Sequence, residues 1–242
     1  MFARDDALME AAAEGFVGAA AAAVRARGRF AVALAGGATP RRLYALLASP
    51  PYASRVDWAR VHVFWGDERC VPPDDPMSNY RMACVALLAH VPLPAENVHR
   101  IRGEDDPDAA AAAYERELRE AFAGPPVARF DLVLLGMGGN GHTASLFPGG
   151  AAIHETERWV MADYVAEMSM WRVTLTPVVI NAAVEVVFLV SGPEKAATLK
   201  RVLEGPYQPD ALPAQVVAPA AGRLRWLVDT AAAAALRTGD GR

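Results

Sequence analysis

Cysteine is scarce: Cys70 and Cys84 are the only two in 242 residues. Nothing else in the sequence points to a bridge between them, so a reducing compartment and two free thiols are expected. Cys70 stands beside charged residues, a setting in which a thiol can be reactive. An excess of one charge is lacking too. The 24 basic residues nearly balance 28 acidic ones, giving a formal charge of −4. No segment is densely basic, which removes the electrostatic footprint of a nucleic-acid partner. A small anion remains open, because a few placed cations suffice for it. Long apolar runs are also missing. The N-terminal stretch MFARDDALMEAAAEGF carries acids and no long apolar core, so it does not read as a secretory signal. The alanine runs are short and interrupted, and no bilayer span is expected. The expectation is a soluble, cytoplasmic, monomeric protein with neither a nucleic-acid nor a membrane partner.

Several chemical motifs are absent as well. Ser145 follows His142 by three positions, but no G-x-S-x-G elbow surrounds it, which argues against a serine nucleophile. The histidines His62, His90, His99, His142 and His154 show no pairing at metal-ligand spacing, so no zinc site is expected. The tandem carboxylates Asp74-Asp75 and Asp105-Asp106 read as solvated loop and cap residues.

What is present is apolar and regularly punctuated. The chain is 53% hydrophobic, enough for one sizeable α/β domain over residues 1–242. Asp5–Arg27 is alanine-rich and free of proline, hence a helix. Arg29–Ala35 reads as a buried strand ending at Gly36-Gly37. Thr39 as N-cap and Pro40 at the first helical position open a second helix. Val61–Trp65 is a strand, Asp67–Pro76 a polar loop, and Ser78–His90 and Asp105–Phe122 helices. Phe130–Leu135, Arg158–Asp163, Trp171–Thr176 and Glu185–Val190 are strands. Pro177–Ala183 and Glu194–Leu203 are helices, and Gln215–Val217 and Trp226–Val228 short strands. Strands alternating with helices, several of them continuously apolar, predict a doubly wound, largely parallel α/β sheet. Ligands of such sheets bind at the carboxyl ends of the strands. Four loops fall there: Gly36-Gly37, Gly66 to Arg69, Gly136 to His142, and Ser191 to Lys195. Their convergence predicts a single site.

The stretch FDLVLLGMGGNGHTASLFPGG, Phe130 to Gly150, carries the sharpest question. Gly136, Gly138 and Gly141 spell G-x-G-x-x-G, the spacing of a dinucleotide-binding turn, and Asp163 lies where a ribose-binding acid belongs. That motif also needs a helix whose N-terminus faces the pyrophosphate. Here Pro148-Gly149-Gly150 leaves room for barely two turns, and the strand is not the first of the chain. A tight turn with no ligand explains the glycines, but not a histidine directly after them at the carboxyl edge of a sheet. A catalytic His142 accounts for both. Separately, AGGATPRR sets backbone N–H groups at a helix N-terminus, where an anion gains from donors and dipole. No Walker lysine follows. Arg69, Lys195 and Arg172 are the cations placed to reinforce it.

Five stretches, LAGGATPRRLYALLA, VFWGDERCVPPDDPMSNYRMA, LLGMGGNGHTASLFPG, RVTLTPVVINAA and FLVSGPEKAATLK, resemble the 6-phosphogluconolactonases, in that family's order. The resemblance covers about Leu34 to Asp229, and its second and third stretches are the most specific. It implies a NagB-like modified Rossmann fold and hydrolysis of 6-phospho-D-glucono-1,5-lactone to 6-phosphogluconate, the second step of the oxidative pentose phosphate pathway, with no metal or organic cofactor. It further implies that His142 is the general base and that Gly36, Gly37 and Thr39 form the phosphate-binding turn. Arg69, Lys195 and Arg172 match its basic site residues. Gly138 and Gly141 shape the turn that faces the substrate. One position departs: two before the histidine the family usually has aspartate, and here stands Asn140, which can orient the imidazole but lacks the charge. The related glucosamine-6-phosphate deaminases need an acid after the histidine, and ASLFPG offers none before Pro148. A non-catalytic phosphosugar sensor on the same fold would keep the phosphate loop and lose the base.

Overall fold

The structure is a computed structural model that describes residues 1–123 and 126–237. Helix α1, Asp5–Arg27, opens on Asp5 and Asp6 and closes on Arg25 and Arg27, each charge favourably placed for the helix dipole. It ends at Gly28, whose φ of +75° turns the chain and lets its N–H donate to Val24 O. As a helix it is long and apolar enough to cross a bilayer by length and composition, more than its alanine runs suggest. Here Leu8, Ala13 and Phe16 bury one face in the core, and Phe16 meets Phe30 edge-on.

Five parallel strands follow: β1 (Phe30–Leu34), β2 (Val61–Trp65), β4 (Leu132–Gly136), β7 (Glu185–Val190) and β8 (Arg223–Val228). Their order is β2-β1-β4-β7-β8. The order reverses between β1 and β4, so the loops leaving those two strands diverge and open a crevice at their carboxyl ends. Helices α2 (Ala38–Leu47), α3 (Asn79–Ala86), α4 (Pro107–Ala121), α5 (Pro177–Ile180) and α6 (Ala196–Glu204) complete the α/β architecture. Asp106 caps α4 by accepting from Ala109 N–H, with Pro107 opening the first turn.

A second sheet is antiparallel: β3 (Asp67–Arg69), β6 (Met170–Leu175) and β5 (Val160–Val165), in the order β3-β6-β5. A single residue, Gly66, joins it to the first. Gly66 N–H donates to Leu34 O of β1 at 2.9 Å, and its carbonyl accepts from Leu175 N–H of β6 at 2.8 Å. Apolar residues of both sheets, Val32, Phe188, Val173 and Leu175 among them, belong to one buried cluster.

Several boundaries differ from the sequence expectation. Asp67–Arg69 is a strand rather than the start of a loop, because β6 supplies its ladder from more than a hundred positions away. Gln215–Val217 forms no strand; Pro213–Val216 is a turn of 3-10 helix, while β8 starts earlier than expected, at Arg223. The Ser78–His90 helix breaks at Leu87 and ends in a separate 3-10 turn. The cap of α2 is Gly37, with Thr39 already inside the helix. Two histidines do meet: His62 Nδ1 lies 3.2 Å from His99 Nε2, and His99 Nδ1 2.8 Å from Glu117. Linear spacing could not reveal a pairing made by tertiary contact. Both cysteines are free, and burial pushes the Cys70 thiol up to about 11, the opposite of an activated nucleophile.

Candidate active site

The glycine turn leaves β4 at Gly136 and folds back on itself. Gly138 N–H donates to His142 O at 2.8 Å, and Gly141 N–H to Gly138 O at 3.0 Å. Thr143 Oγ1 donates to Gly136 O, and Thr198 Oγ1 of α6 donates to Gly139 O at 2.6 Å, so the turn is pinned at both ends. A Cβ on Gly138 would stand 2.1 Å from His142 Nδ1; the imidazole occupies the space glycine leaves. Gly141 has φ +84° and abuts Leu212. No helix follows. Thr143 and Leu146 instead form an isolated bridge around Ala144, at φ +47°. The dinucleotide reading fails on that point, and Asp163 lies in β5 opposite Arg172, in the other sheet.

Asn140 decides which nitrogen of His142 is available. Its Oδ1 accepts from His142 backbone N–H at 3.2 Å and lies 2.6 Å from Nδ1. The backbone group can only donate, so the atom facing it is the carbonyl oxygen, and Nδ1 must carry the proton. Nε2 is left with its lone pair. The ring stacks on Phe147, centroids 4.1 Å apart. Burial lowers its pKa from 6.5 to about 4; Asp67 acts to raise it, and Arg172, Lys195 and Arg69 to lower it further. At neutral pH His142 is uncharged and ready to accept a proton.

The antiparallel sheet supplies the charges. Arg69 and Arg172 are register partners on β3 and β6. Arg172 is only 4% exposed. Its Nη1 lies 3.7 Å from Asp67 Oδ2, and its Nη2 donates to Met168 Sδ at 2.8 Å. Arg69 donates to Met77 O. Among the described residues, the Nε–H groups of both arginines are buried without a partner. Asp67 is held by Ser145 Oγ–H at 2.7 Å and Asn79 Nδ2–H at 3.2 Å. Glu68, pointing the other way along the strand, accepts from the N–H groups of Asn79 and Tyr80 and anchors the start of α3. Burial raises its pKa, and those backbone donors oppose the rise.

On the opposite wall, Gly36 and Gly37 lead into α2. A Cβ on Gly36 would fall 2.0 Å from Asn79 Oδ1, and Gly37 takes φ +105°. Thr39 Oγ1 lies 3.0 Å from Ser191 Oγ, tying the first loop to the last. These walls enclose a cavity of about 390 Å³, lined by Gly36, Gly37, Thr39, Arg69, Gly138, His142, Arg172 and Lys195. All were expected from the sequence. Asn140 and Gly141 shape the turn behind it. The sequence reading missed Asp67, Asn79 and Met168, which also line it. The signal for Asp67 was its place two residues before Arg69, since alternate strand residues share a face. The cavity combines one neutral imidazole, two carboxylates (Asp67 and Glu194), three cations and a helix N-terminus. Such a set can take a phosphorylated molecule and move a proton on it.

Comparison with known proteins gives a consistent answer. The family profile described as glucosamine-6-phosphate isomerases/6-phosphogluconolactonase matches residues 3–226. A 6-phosphogluconolactonase of Mycobacterium tuberculosis is 42% identical over 245 aligned positions, covering 98% of this chain and 97% of that one. The solved 6-phosphogluconolactonase of Trypanosoma brucei superimposes with a TM-score of 0.85 at 31% identity, over 97% and 96% of the two chains. A monomeric glucosamine-6-phosphate deaminase of the NagB superfamily shares the fold, with a TM-score of 0.79 at 21% identity over 96% of this chain and 97% of that one.

Proposed function

The chain belongs to the glucosamine-6-phosphate isomerase/6-phosphogluconolactonase family, and from that membership we propose that it is a 6-phosphogluconolactonase in which His142 activates water. The substrate is 6-phospho-D-glucono-1,5-lactone and the product 6-phospho-D-gluconate. The observation that carries the residue assignment is the tautomer: Asn140 holds Nδ1–H, leaving Nε2 as a base at a cationic cavity.

The 6-phosphate sits at the N-terminus of α2, against Gly36, Gly37 and Thr39, with Lys195 and Arg172 completing its charge. His142 Nε2 removes a proton from water while the water oxygen bonds to C1 and the carbonyl electrons move to oxygen. Arg69 and N–H groups of the 136–141 turn meet that oxyanion. Collapse breaks the bond from C1 to the ring oxygen, which leaves with the proton that the imidazolium returns. The nearby Asp67 carboxylate favours the imidazolium while it exists. Positioned base catalysis of this kind is worth about 100- to 10,000-fold.

The test generates the lactone in situ and follows its loss against the spontaneous rate. The wild type is expected to accelerate the loss, and His142→Ala to forfeit about 100- to 10,000-fold of kcat. Full activity in the variant removes the base; no acceleration by the wild type, with ligand still bound, leaves a phosphosugar sensor.

A further inference from the structure

Asn140 carries no charge, yet it is the group that holds the back of the His142 ring. Its carboxamide is planar, so with Oδ1 turned to the imidazole, Nδ2 faces the other way. There it donates to Glu167 Oε2 at 3.4 Å. Glu167 lies in the single 3-10 turn, Ala166–Met168, at the tip between β5 and β6. The next residue, Met168, lines the cavity and takes the hydrogen bond from Arg172. Consecutive residues of one hairpin tip therefore touch the histidine turn and a buried arginine.

We propose that Glu167 is a positioning residue for the reaction: it holds the Asn140 amide against His142 Nδ1–H and supplies, one amide away, negative charge for the imidazolium. The inference rests on the reading of His142 as the base. A carboxylate at one end of an amide polarises it and makes the oxygen at the other end a stronger acceptor. The charges facing His142 are otherwise unfavourable to a proton. Arg69 from β3, Arg172 from β6 and Lys195 from the segment before α6 oppose it, and Asp67 from β3 supports it; Glu194, beside Lys195, also lines the cavity. Glu167 adds a further carboxylate, on the side of the ring away from the lone pair of Nε2.

The experiment is a double-mutant cycle on the full chain, with kcat, KM and pH profiles for Glu167→Ala, Asn140→Asp and the pair. Glu167→Ala is expected to lower kcat about three- to tenfold, leave KM near its wild-type value, and move the acid limb of kcat to lower pH. Asn140→Asp places a carboxylate directly on Nδ1–H, so in that background Glu167→Ala no longer lowers kcat. An unchanged kcat in the single variant, or an equal loss in both backgrounds, overturns the proposal. His142→Ala is scored separately. If it is inactive while Glu167→Ala is unaffected, this inference falls and the base stands; if it is fully active, the base itself falls.

Discussion

In the parallel sheet, β1 and β7 bury every residue they contain, and all but Glu185 are apolar. In the antiparallel sheet, β3 consists of Asp67, Glu68 and Arg69, two of them buried, and β6 buries Arg172. Both sheets bury apolar area, but the second also buries charges that are largely paired with one another and their neighbours. Burying a charge costs free energy unless it is paired and hydrogen-bonded, so the small sheet exists in this form only because its partners are in place. The candidate site lies along the seam, with its histidine from the loop after β4 of the first sheet and most of its charge from the second.

The contrast can be broken from either side. Phe188 is fully buried in β7 and stacks on Trp226 at 3.8 Å. Phe188→Ala is expected to cost about 3–5 kcal/mol of stability, read by denaturant unfolding, while the folded fraction keeps its kcat. Glu68→Gln in β3 is a smaller and different injury. Oε1 accepts from Arg69 and Asn79 N–H, and Oε2 from Tyr80 N–H and Ser78 Oγ–H. An amide nitrogen in place of Oε2 cannot accept from Tyr80, and one buried N–H left unpaired costs about 1–3 kcal/mol. Asn79 is part of the same anchor and lines the cavity, so KM is expected to rise along with that loss.

Acid sharpens the contrast without a mutation. His142 titrates near 4 when folded and near 6.5 when not, so between those values the unfolded chain binds the extra proton. The contribution of this group is complete above pH 6.5 and declines as pH falls toward 4, and His142→Ala abolishes that slope. The acid limb of kcat/KM reports the free enzyme and is expected well below 6.5. The acid limb of kcat is expected at higher pH, because bound phosphate offsets the cations that disfavour the imidazolium. Coincident limbs would place the phosphate elsewhere than on Arg172 and Lys195.

The two sheets were also unequally readable. Apolar runs announce parallel strands, and Val61–Trp65 and Glu185–Val190 fall where the sequence put them. Glycine spacing and an isolated histidine announced the turn. Three consecutive charged residues announce a loop, and nothing local in Asp67–Arg69 says otherwise. Their strand is dictated by Val173, Thr174 and Arg172 across the ladder. Asp67 was missed for the same reason: its partners Asn79, Ser145 and Arg172 are scattered along the chain.

Gly66 is the only residue between β2 and β3, and its backbone is hydrogen-bonded to both sheets. Side chains alternate along a strand, so Asp67 and Arg69 reach the cavity while Glu68 turns to α3. One extra residue inserted after Gly66 would reverse that alternation. The inserted residue would then stand in the place of Asp67 and Glu68 in that of Arg69, and the start of α3 would lose its anchor. Homologous chains are therefore expected to tolerate length changes in the surface connections far more readily than here, where the reading frame of a single peptide unit sets which side chain the histidine meets.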